Sequence, residues 1–442
     1  MGDMPVNRRD VLKYGTSVLL SASLAYSKEE KKLEKTDNIL NKKKTKNPRI
    51  VVVGGGWAGL ALAKDVKHRV PHAEVTMIER RDHFVSCPMS NEWLVDLVDL
   101  EYLTHSYLDA AKNNNYIYLH AEVTDVDKKH HILKTSIGDV GYDYLVFATG
   151  IEYDYHDLVQ DDKALEQRLK TEYPAAFIPG SEHMTLKEKI HHFKGGNFVL
   201  TVPGGNYRCL AAPYERACLI ADYFDKQNID GKVIILDANS DIKIKAEGFH
   251  SAFKELYKDR IEYQSSVEID AIDLDKKVIT TGFDEIMFAD ASFYPNVKAP
   301  YLLEKLGMTR QTAHNRVEAD INQYTYKFKG SNNIYACGDV RPMGFSKSGN
   351  TAYSEGLNVA KMIADEIAGK TPVWQSPVTT CFSILRTKPE KCISLYTEYA
   401  YDKKGGMLFK NNMTDEAWKT NGLGKSRVAY GWAESMYSNM FG

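Results

Sequence analysis

The sequence lacks the features that would place it among nucleic-acid-binding, membrane-spanning or haem proteins. Its 57 lysines and arginines nearly balance 59 aspartates and glutamates, and a net charge of −2 gives no basis for binding nucleic acid. After residue 25, no apolar run approaches the roughly 20 residues that cross a bilayer, so no integral membrane segment is predicted. The motif C-x-x-C-H is absent, which argues against covalent c-type haem on this chain.

Metal ligands and cysteine motifs are also scarce. The 13 histidines include only two adjacent pairs, His130-His131 and His191-His192. Neither pair has cysteine or carboxylate partners at the spacing that metal ions need, and no metal site is predicted. Three of the six cysteines lie outside any interpretable motif and are predicted to be small buried residues: Cys218, Cys337 and Cys392.

The first 27 residues have the layout of an export signal. A charged segment with Arg8-Arg9 precedes a short, mildly apolar run, and small residues follow. A paired arginine before so short a run predicts twin-arginine export to the periplasm, with a disordered or anchoring N-terminus as the alternative. Residues 28–48 are rich in lysine, glutamate and asparagine, and are predicted to be a solvated linker rather than an interaction tail.

A glycine turn carries the most informative motif. Residues 50–53 are a continuous apolar run, which predicts a buried parallel strand. The spacing G-x-G-x-x-G follows at Gly54, Gly56 and Gly59, before a helical pattern. These glycines permit a tight turn, the approach of a pyrophosphate, and close packing of helix on strand. Glu79 ends the next strand, where it can accept hydrogen bonds from a ribose, so we predict a dinucleotide site.

Two further segments favour FAD over NAD. Ala148-Thr149-Gly150 closes a strand, and Gly338-Asp339 closes a late strand before a helical pattern. This distribution resembles the two-dinucleotide-domain flavoproteins, which include the disulfide reductases. The resemblance implies that Asp339 binds the ribityl chain of the flavin, and a helix N-cap is its alternative role.

The pattern as a whole predicts an α/β fold with two Rossmann-like dinucleotide-binding domains (glutathione-reductase-like) plus a C-terminal α+β interface domain. The second domain has no G-x-G-x-x-G in its turn at 202–209, where bulky residues stand instead, so no nicotinamide site is predicted. The C-terminal residues are less regular in pattern and rich in aromatics. The predicted bounds are 49–160 with 300–370 for the FAD-binding domain, 161–299 for the second domain and 371–442 for the interface domain.

Several local motifs resemble those of the flavocytochrome c sulfide dehydrogenase flavoprotein subunits, over nearly all of residues 49–442. They are Ser-Cys-Pro-Met-Ser-Asn-Glu at 86–92, Arg-Cys-x-x-x-Pro-Tyr-Glu-Arg-Ala from 208, Lys-Ser-Gly at 347–349, Thr-Cys-x-Ser-Ile-Leu from 380 and the final Phe-Gly. The resemblance implies a periplasmic enzyme in which FAD takes electrons from sulfide and passes them to a small c-type cytochrome subunit that carries haem.

In that family, the cysteines that match Cys209 and Cys381 form a redox-active disulfide beside the flavin. Hydrosulfide attacks disulfides well, and its attack would form a persulfide and free a thiolate that passes two electrons to the flavin. A purely structural disulfide is the alternative. Glu215 matches a family glutamate near the disulfide and is a candidate proton acceptor, with a helix-start acid as its alternative role.

The resemblance also assigns residues to the cofactor. Cys87 matches the cysteine that bonds to the flavin 8α-methyl as a thioether, with a buried small hydrophobic residue as the alternative. Trp432 matches an aromatic residue packed near the flavin, or is a core tryptophan, and Lys347 is placed to stabilise the reduced flavin. The full predicted cofactor set is Gly54, Gly56, Gly59, Glu79, Cys87, Val123, Ala148, Thr149, Gly150, Gly338, Asp339, Lys347 and Trp432.

Other functions stay open. A sulfide:quinone oxidoreductase would use similar chemistry but needs an apolar tail that enters the membrane, and residues 417–442 contain lysine, arginine and glutamate with no obvious amphipathic membrane helix. A flavin-bearing accessory thiol reductase of a sulfur-oxidation system would act on a partner's cysteine instead of free sulfide. An NADH dehydrogenase of the two-domain type is disfavoured by the missing second glycine motif.

Overall fold

A computed structural model describes residues 47–312 and 316–442, with the backbone alone at 421–423. The predicted export signal at 1–27 lies outside the described residues, as do residues 28–46 of the predicted linker. From Arg49 onward the described residues form two parallel sheets, a C-terminal antiparallel sheet and five smaller antiparallel sheets, with helices packed around them.

The first sheet is five-stranded and takes its strands from distant parts of the chain. Every neighbouring pair in it is parallel. Both faces of a parallel sheet are covered, which explains why the central strand is a continuous apolar run in the sequence. In spatial order, the strands are Ile334–Ala336, Tyr144–Phe147, Arg49–Val53, Glu74–Glu79 and Ile117–His120.

Two helices pack closely against each other beside this sheet. Helix Trp57–Arg69 leaves the glycine turn, and helix Gly349–Ile367 follows the late strand. At Gly356, an added Cβ would lie 2.3 Å from the carbonyl oxygen of Ala58, so the two helices approach more closely than larger side chains would allow. This packing brings the segment around Gly338 against the glycine turn.

The second sheet has four parallel strands and repeats the strand–turn–helix order of the first domain. The strand Gly196–Val202 runs through a turn into helix Ala212–Lys226. In spatial order, the strands are Ile261–Gln264, Gly231–Asp237, Gly196–Val202 and Asp290–Ser292.

The C-terminal region is more regular than its sequence pattern indicates. Strands Val378–Thr387, Glu390–Tyr401 and Met407–Asp415 form an antiparallel sheet, and helix Trp418–Phe441 follows. The first of these strands lies against helix Ala212–Lys226, which joins the tail to the second domain. Within the described residues, no helix combines the length and apolar character needed to cross a membrane.

Smaller elements connect these sheets. The short strands are His83–Val85, Thr104–Ser106, Val123–Asp127, Ile132–Thr135, Gly138–Gly141, Glu152–Asp154, Ile269–Asp273, Val278–Thr281, Glu285–Met287, Asn296–Lys298, Thr309–Thr312 and Arg316–Ala319. The remaining helices are Ser90–Leu94, Leu100–Leu103, Tyr107–Asn114, His156–Val159, Lys163–Glu172, Ser181–His191, Ala246–Glu255, Tyr301–Lys305 and the 3-10 turn Gly338–Val340.

Candidate active site

The glycine turn of the first sheet is crowded at two of its three motif glycines. Gly54 has a φ of +104°, and an added Cβ there would lie 2.5 Å from the carbonyl oxygen of Ala148. At Gly59, an added Cβ would lie 1.9 Å from the carbonyl oxygen of Gly54. At Gly56, no described atom lies within 4 Å of an added Cβ. The turn is therefore open at Gly56, at a helix N-terminus where a pyrophosphate is favoured.

The turn faces a cavity of about 780 Å³, which we call the large cavity. In its wall, the Glu79 carboxylate accepts hydrogen bonds from the backbone N–H groups of Gly55 (2.8 Å) and Arg81 (3.0 Å). Of the predicted cofactor residues, Gly59, Lys347 and Trp432 do not line this cavity. Those that do are Gly54, Gly56, Glu79, Cys87, Val123, Ala148, Thr149, Gly150, Gly338 and Asp339.

Three polar atoms in the wall of the large cavity have no hydrogen-bond partner among the described residues: Trp57 Nε1, Thr149 Oγ1 and Asp339 Oδ1. Buried polar groups are nearly always paired, so these atoms are available to a ligand. Together with the opening at Gly56 and the acid at Glu79, they fit an FAD whose ribityl chain Asp339 would hold. Bound there, FAD would supply two-electron redox chemistry.

Arg208 also lines the large cavity, although the sequence analysis does not single it out. Its Nε donates to Asp339 Oδ2 at 2.7 Å, and its Nη1 donates to the carbonyl oxygen of Phe177 at 2.9 Å. Burial lowers the pKa of Arg208, but the charge and hydrogen bond of Asp339, together with the charges of Cys87 and Tyr294, raise it above the ordinary value. One oxygen of Asp339 is thus neutralised by the protein, and the other faces the cavity. The position of Arg208 next to Cys209 was the only signal in the sequence.

Lys347 is held away from the predicted flavin contact. Its ammonium pairs with the carboxylate of Glu318 at 2.8 Å and donates to the carbonyl oxygens of Asp339 (2.8 Å) and Arg341 (2.7 Å). These partners match its three donors. The carbonyl oxygen of Lys347 accepts the N–H of Cys209 at 2.6 Å, so this residue fixes the turn that carries Cys209.

Cys87, Cys209 and Cys381 come together at a second cavity of about 60 Å³, which we call the small cavity. Cys87 and Cys209 line both cavities, whereas Cys381 lines the small one alone. All three are free thiols in the structure. Burial raises the pKa of Cys87 and of Cys209, and the neighbouring Cys381 raises that of Cys209 further. The site therefore joins a thiol pair to the large cavity through Cys209.

The corresponding turn in the second domain is filled by protein side chains. The guanidinium of Arg316 donates to the carbonyl oxygen of Gly204. Asp237, the acid that ends the next strand, is fully buried and accepts hydrogen bonds from the hydroxyls of Tyr214 (2.6 Å) and Tyr263 (3.0 Å). In a dinucleotide site this acid would face a ribose. The packing supports the prediction that this domain has no nicotinamide site.

Two buried carboxyl groups line the small cavity, one predicted and one not. Glu215 accepts hydrogen bonds from the Asn91 amide (3.0 Å) and the Ile384 N–H (2.7 Å). Glu92 is 3% exposed, and its Oε2 has no hydrogen-bond partner among the described residues. Burial raises the pKa of both groups, and the charge of Glu215 raises that of Glu92 further. Such a pair favours keeping a proton beside the cysteines.

We expect Glu92→Gln to stabilise the protein near neutral pH but not in acid. At about pH 3.5, below the ordinary carboxyl pKa, Glu92 is protonated in both folded and unfolded chains, so the variant should match the wild type. As the pH rises, the unfolded chain ionises while the folded chain keeps its proton, and the wild type loses stability relative to the variant. Each tenfold difference in proton affinity is worth about 1.4 kcal/mol.

Urea unfolding at about pH 3.5 and pH 7.5 measures this difference in the free energy of unfolding. Glu101→Gln, at an exposed position of helix Leu100–Leu103, is the matched control and should change little at either pH. An effect of Glu92→Gln that is the same at both pH values would show that the carboxyl is not held protonated.

Trp432 and Trp57 connect the walls of the two cavities. Their rings stack with centroids 6.1 Å apart and planes within 6°. Trp57 lines the large cavity and Trp432 the small one. Trp432, which was predicted to pack near the flavin, thus lies at the cysteine site, one ring away from the large cavity.

The other cysteines lie apart from the site. Cys218, Cys337 and Cys392 are fully buried and line neither cavity. In the part of the chain that the structure describes, no group of three or more histidine, cysteine, aspartate or glutamate side chains is placed to hold a metal ion.

The known proteins that are similar to this chain include sulfide-oxidising flavoproteins. Residues 183–293 match the family model described as sulfide dehydrogenase (flavocytochrome c) flavoprotein chain, central. The mitochondrial sulfide:quinone oxidoreductase of Dictyostelium discoideum is 29% identical over 52% of this chain, which covers 47% of that protein. The sulfide-quinone reductase of Aquifex aeolicus is 22% identical over 72% of this chain and 76% of its own length.

The solved structures show the fold. The sulfide:quinone oxidoreductase of Aquifex aeolicus superimposes with a TM-score of 0.70 at 15% identity, covering 89% of this chain and 92% of that one. The predicted fold class, that of the two-dinucleotide-binding flavoproteins, is therefore confirmed. The comparisons support an FAD-dependent oxidoreductase related to sulfide-oxidising flavoproteins, with relatives of the quinone-reducing kind among the matches.

Proposed function

We propose that this chain, which has the fold of the two-dinucleotide-binding flavoproteins, is an FAD-dependent sulfide dehydrogenase. One observation carries the proposal: Cys209 and Cys381 meet at a small cavity, and Cys209 also lines the FAD-sized cavity. The family model over residues 183–293, which include Cys209, supports the same chemistry.

In the working form, Cys209 and Cys381 are joined as a disulfide. Hydrosulfide enters the small cavity and attacks the sulfur of Cys381, forming a persulfide there and breaking the S–S bond. The electron pair of that bond leaves on Cys209 as a thiolate. This direction follows from the lining of the cavities, because Cys209 is the sulfur that faces the FAD site.

The two carboxyl groups handle the protons of this reaction. Hydrogen sulfide must lose a proton to become the nucleophile, and Glu215 and Glu92 both line the small cavity. Glu215, held in place by the Asn91 amide and the Ile384 N–H, accepts this proton. Glu92 keeps its own proton near neutral pH and can donate it in a later step, since its Oε2 is unpartnered among the described residues.

Cys87 would hold the flavin covalently. Its sulfur lies in the wall of both cavities and donates to the carbonyl oxygen of Phe177 at 3.5 Å. Burial raises the pKa of this thiol, while the charges of Arg208 and Arg216 oppose the rise. The two guanidinium groups favour the thiolate form of Cys87, which is the form that thioether formation needs.

The electron acceptor that we propose is a small c-type cytochrome subunit in the periplasm, reached after twin-arginine export. The second candidate function is sulfide:quinone oxidoreduction, which the Dictyostelium and Aquifex relatives favour. The two differ in acceptor rather than in the chemistry at the cysteines.

Sulfide-dependent turnover with two acceptors side by side separates these functions. We expect the purified protein to reduce cytochrome c at least about tenfold faster than a soluble quinone, measured by absorbance under identical flavin concentrations. Faster quinone reduction would assign the protein to the quinone-reducing class. If sulfide fails to bleach the flavin at all, sulfide is not the substrate.

A further inference from the structure

Lys245 lies behind the reacting sulfur of Cys381. Its Nζ donates to Cys381 Sγ at 3.3 Å and to the hydroxyl oxygen of Ser383 at 2.7 Å. The residue is 3% exposed and lines neither cavity. The ammonium therefore reaches the sulfur through the protein interior, not through the space that sulfide would enter.

This buried charge has no hydrogen bond to an anion, although the Glu215 carboxyl is near enough for the charge of Lys245 to oppose the rise in its pKa. Both of the hydrogen bonds above are to neutral groups, a thiol and a hydroxyl. Removing an ammonium from water is costly unless a negative charge compensates it. A thiolate at Cys381 would supply that charge at hydrogen-bond distance.

Other ionisable groups around Cys381 respond to the same lysine. Burial raises the pKa of Glu215, of Cys209 and of Cys392, and the charge of Lys245 opposes the rise in each case. Glu92 lines the small cavity together with Cys381. Arg216 also opposes the rise in the pKa of Glu215, but Lys245 is the cation that donates a hydrogen bond to Cys381.

We propose that Lys245 stabilises Cys381 as a thiolate, which makes it a catalytic residue of the sulfide dehydrogenase cycle on which this inference rests. After the first attack, Cys381 carries a persulfide. A second hydrosulfide attacks its outer sulfur, the S–S bond breaks, and Cys381 leaves as a thiolate while HSSH forms. The thiolates of Cys381 and Cys209 then re-form their disulfide and release two electrons, which bound FAD would accept. The sum is two hydrosulfide ions giving HSSH and two electrons.

Alkylation of the reduced protein tests whether Lys245 stabilises the Cys381 thiolate, and it needs neither sulfide nor an electron acceptor. The protein is reduced with dithiothreitol and treated with iodoacetamide, and the rate at Cys381 is read from its peptide by mass spectrometry. Iodoacetamide reacts with thiolates. At about pH 7, we expect Lys245→Met to slow the alkylation of Cys381 at least about tenfold. At about pH 10.5, where ordinary thiols are ionised, the two rates should agree within about twofold.

Lys245→Gln separates charge from hydrogen bonding, since it keeps a donor for Cys381 and Ser383 but is neutral. It should slow alkylation at about pH 7 as Lys245→Met does, and it replaces that variant if Lys245→Met does not retain flavin. Wild-type alkylation rates in Lys245→Gln at pH 7, or an equal slowing at both pH values, would overturn the inference. Because the assay contains no sulfide, its outcome is independent of whether the protein oxidises sulfide.

Discussion

Replacing Cys209 with serine should abolish the bleaching of the flavin by sulfide while leaving the flavin bound. Of the two cysteines in the proposed disulfide, only Cys209 lines both cavities, so its sulfur connects the sulfide site to the FAD site. A hydroxyl can neither form the disulfide nor act as the thiolate that donates electrons. We expect the rate of bleaching to fall by at least about a thousandfold, as for loss of a nucleophile.

The measurement is anaerobic stopped-flow spectroscopy of the flavin band after mixing with sulfide. Cys218→Ser is the matched control, because Cys218 lies on the next helix, is fully buried and lines neither cavity. It should bleach at the wild-type rate. Undiminished bleaching in Cys209→Ser would remove the disulfide from the proposed chemistry and leave only the flavoprotein fold.

Gly59 and Gly56 in the first turn should respond differently to substitution by alanine. In Gly59→Ala, the new Cβ would meet the carbonyl oxygen of Gly54 at 1.9 Å, so the turn between strand and helix must move. We expect a loss of about 3 kcal/mol or more, or a melting temperature lower by roughly 6 °C or more. Gly56→Ala should fold normally, because no described atom lies within 4 Å of its Cβ and its φ is −76°.

Gly56→Ala should instead bind FAD more weakly. Its Cβ would stand in the opening of the turn, where the FAD pyrophosphate would approach the helix N-terminus. We expect at least about tenfold weaker FAD binding, with the melting temperature of the flavin-free protein within about 2 °C of wild type. Melting of flavin-free protein and FAD titration by fluorescence measure the two effects separately. If Gly56→Ala bound FAD as well as the wild type, the pyrophosphate would lie elsewhere.

The elements predicted from the sequence are those whose signals are local. The continuous apolar run before Gly54, the glycine spacing and the acid at Glu79 lie within one stretch of chain, and the structure builds them as predicted. The late segment Gly338-Asp339 also reaches the large cavity. The C-terminal sheet was less apparent, because its strands lack a regular two-residue alternation: Val378–Thr387 contains three consecutive buried residues, and Met407–Asp415 is exposed along most of its length.

The site residues that the sequence analysis missed owe their roles to the tertiary fold. Lys245 reaches Cys381 across 136 positions, and Arg208 reaches Asp339 across 131. Glu92 lies inside a motif used for the resemblance, but its burial beside Glu215 cannot be read from spacing. Lys347 is the opposite case. Its motif is easily seen in the sequence, but in the structure its ammonium is bound by Glu318 and by two carbonyl oxygens and does not reach the large cavity.

The cofactor site is complete only after the edge strand Ile334–Ala336 has joined the first sheet. The first sheet, and with it Gly338 and Asp339 in the wall of the large cavity, is complete only after most of the chain has left the ribosome. Contacts between segments so far apart in sequence form late in folding. We therefore expect flavin to be captured only after this late segment has joined the first sheet, so that the cofactor enters a nearly complete fold.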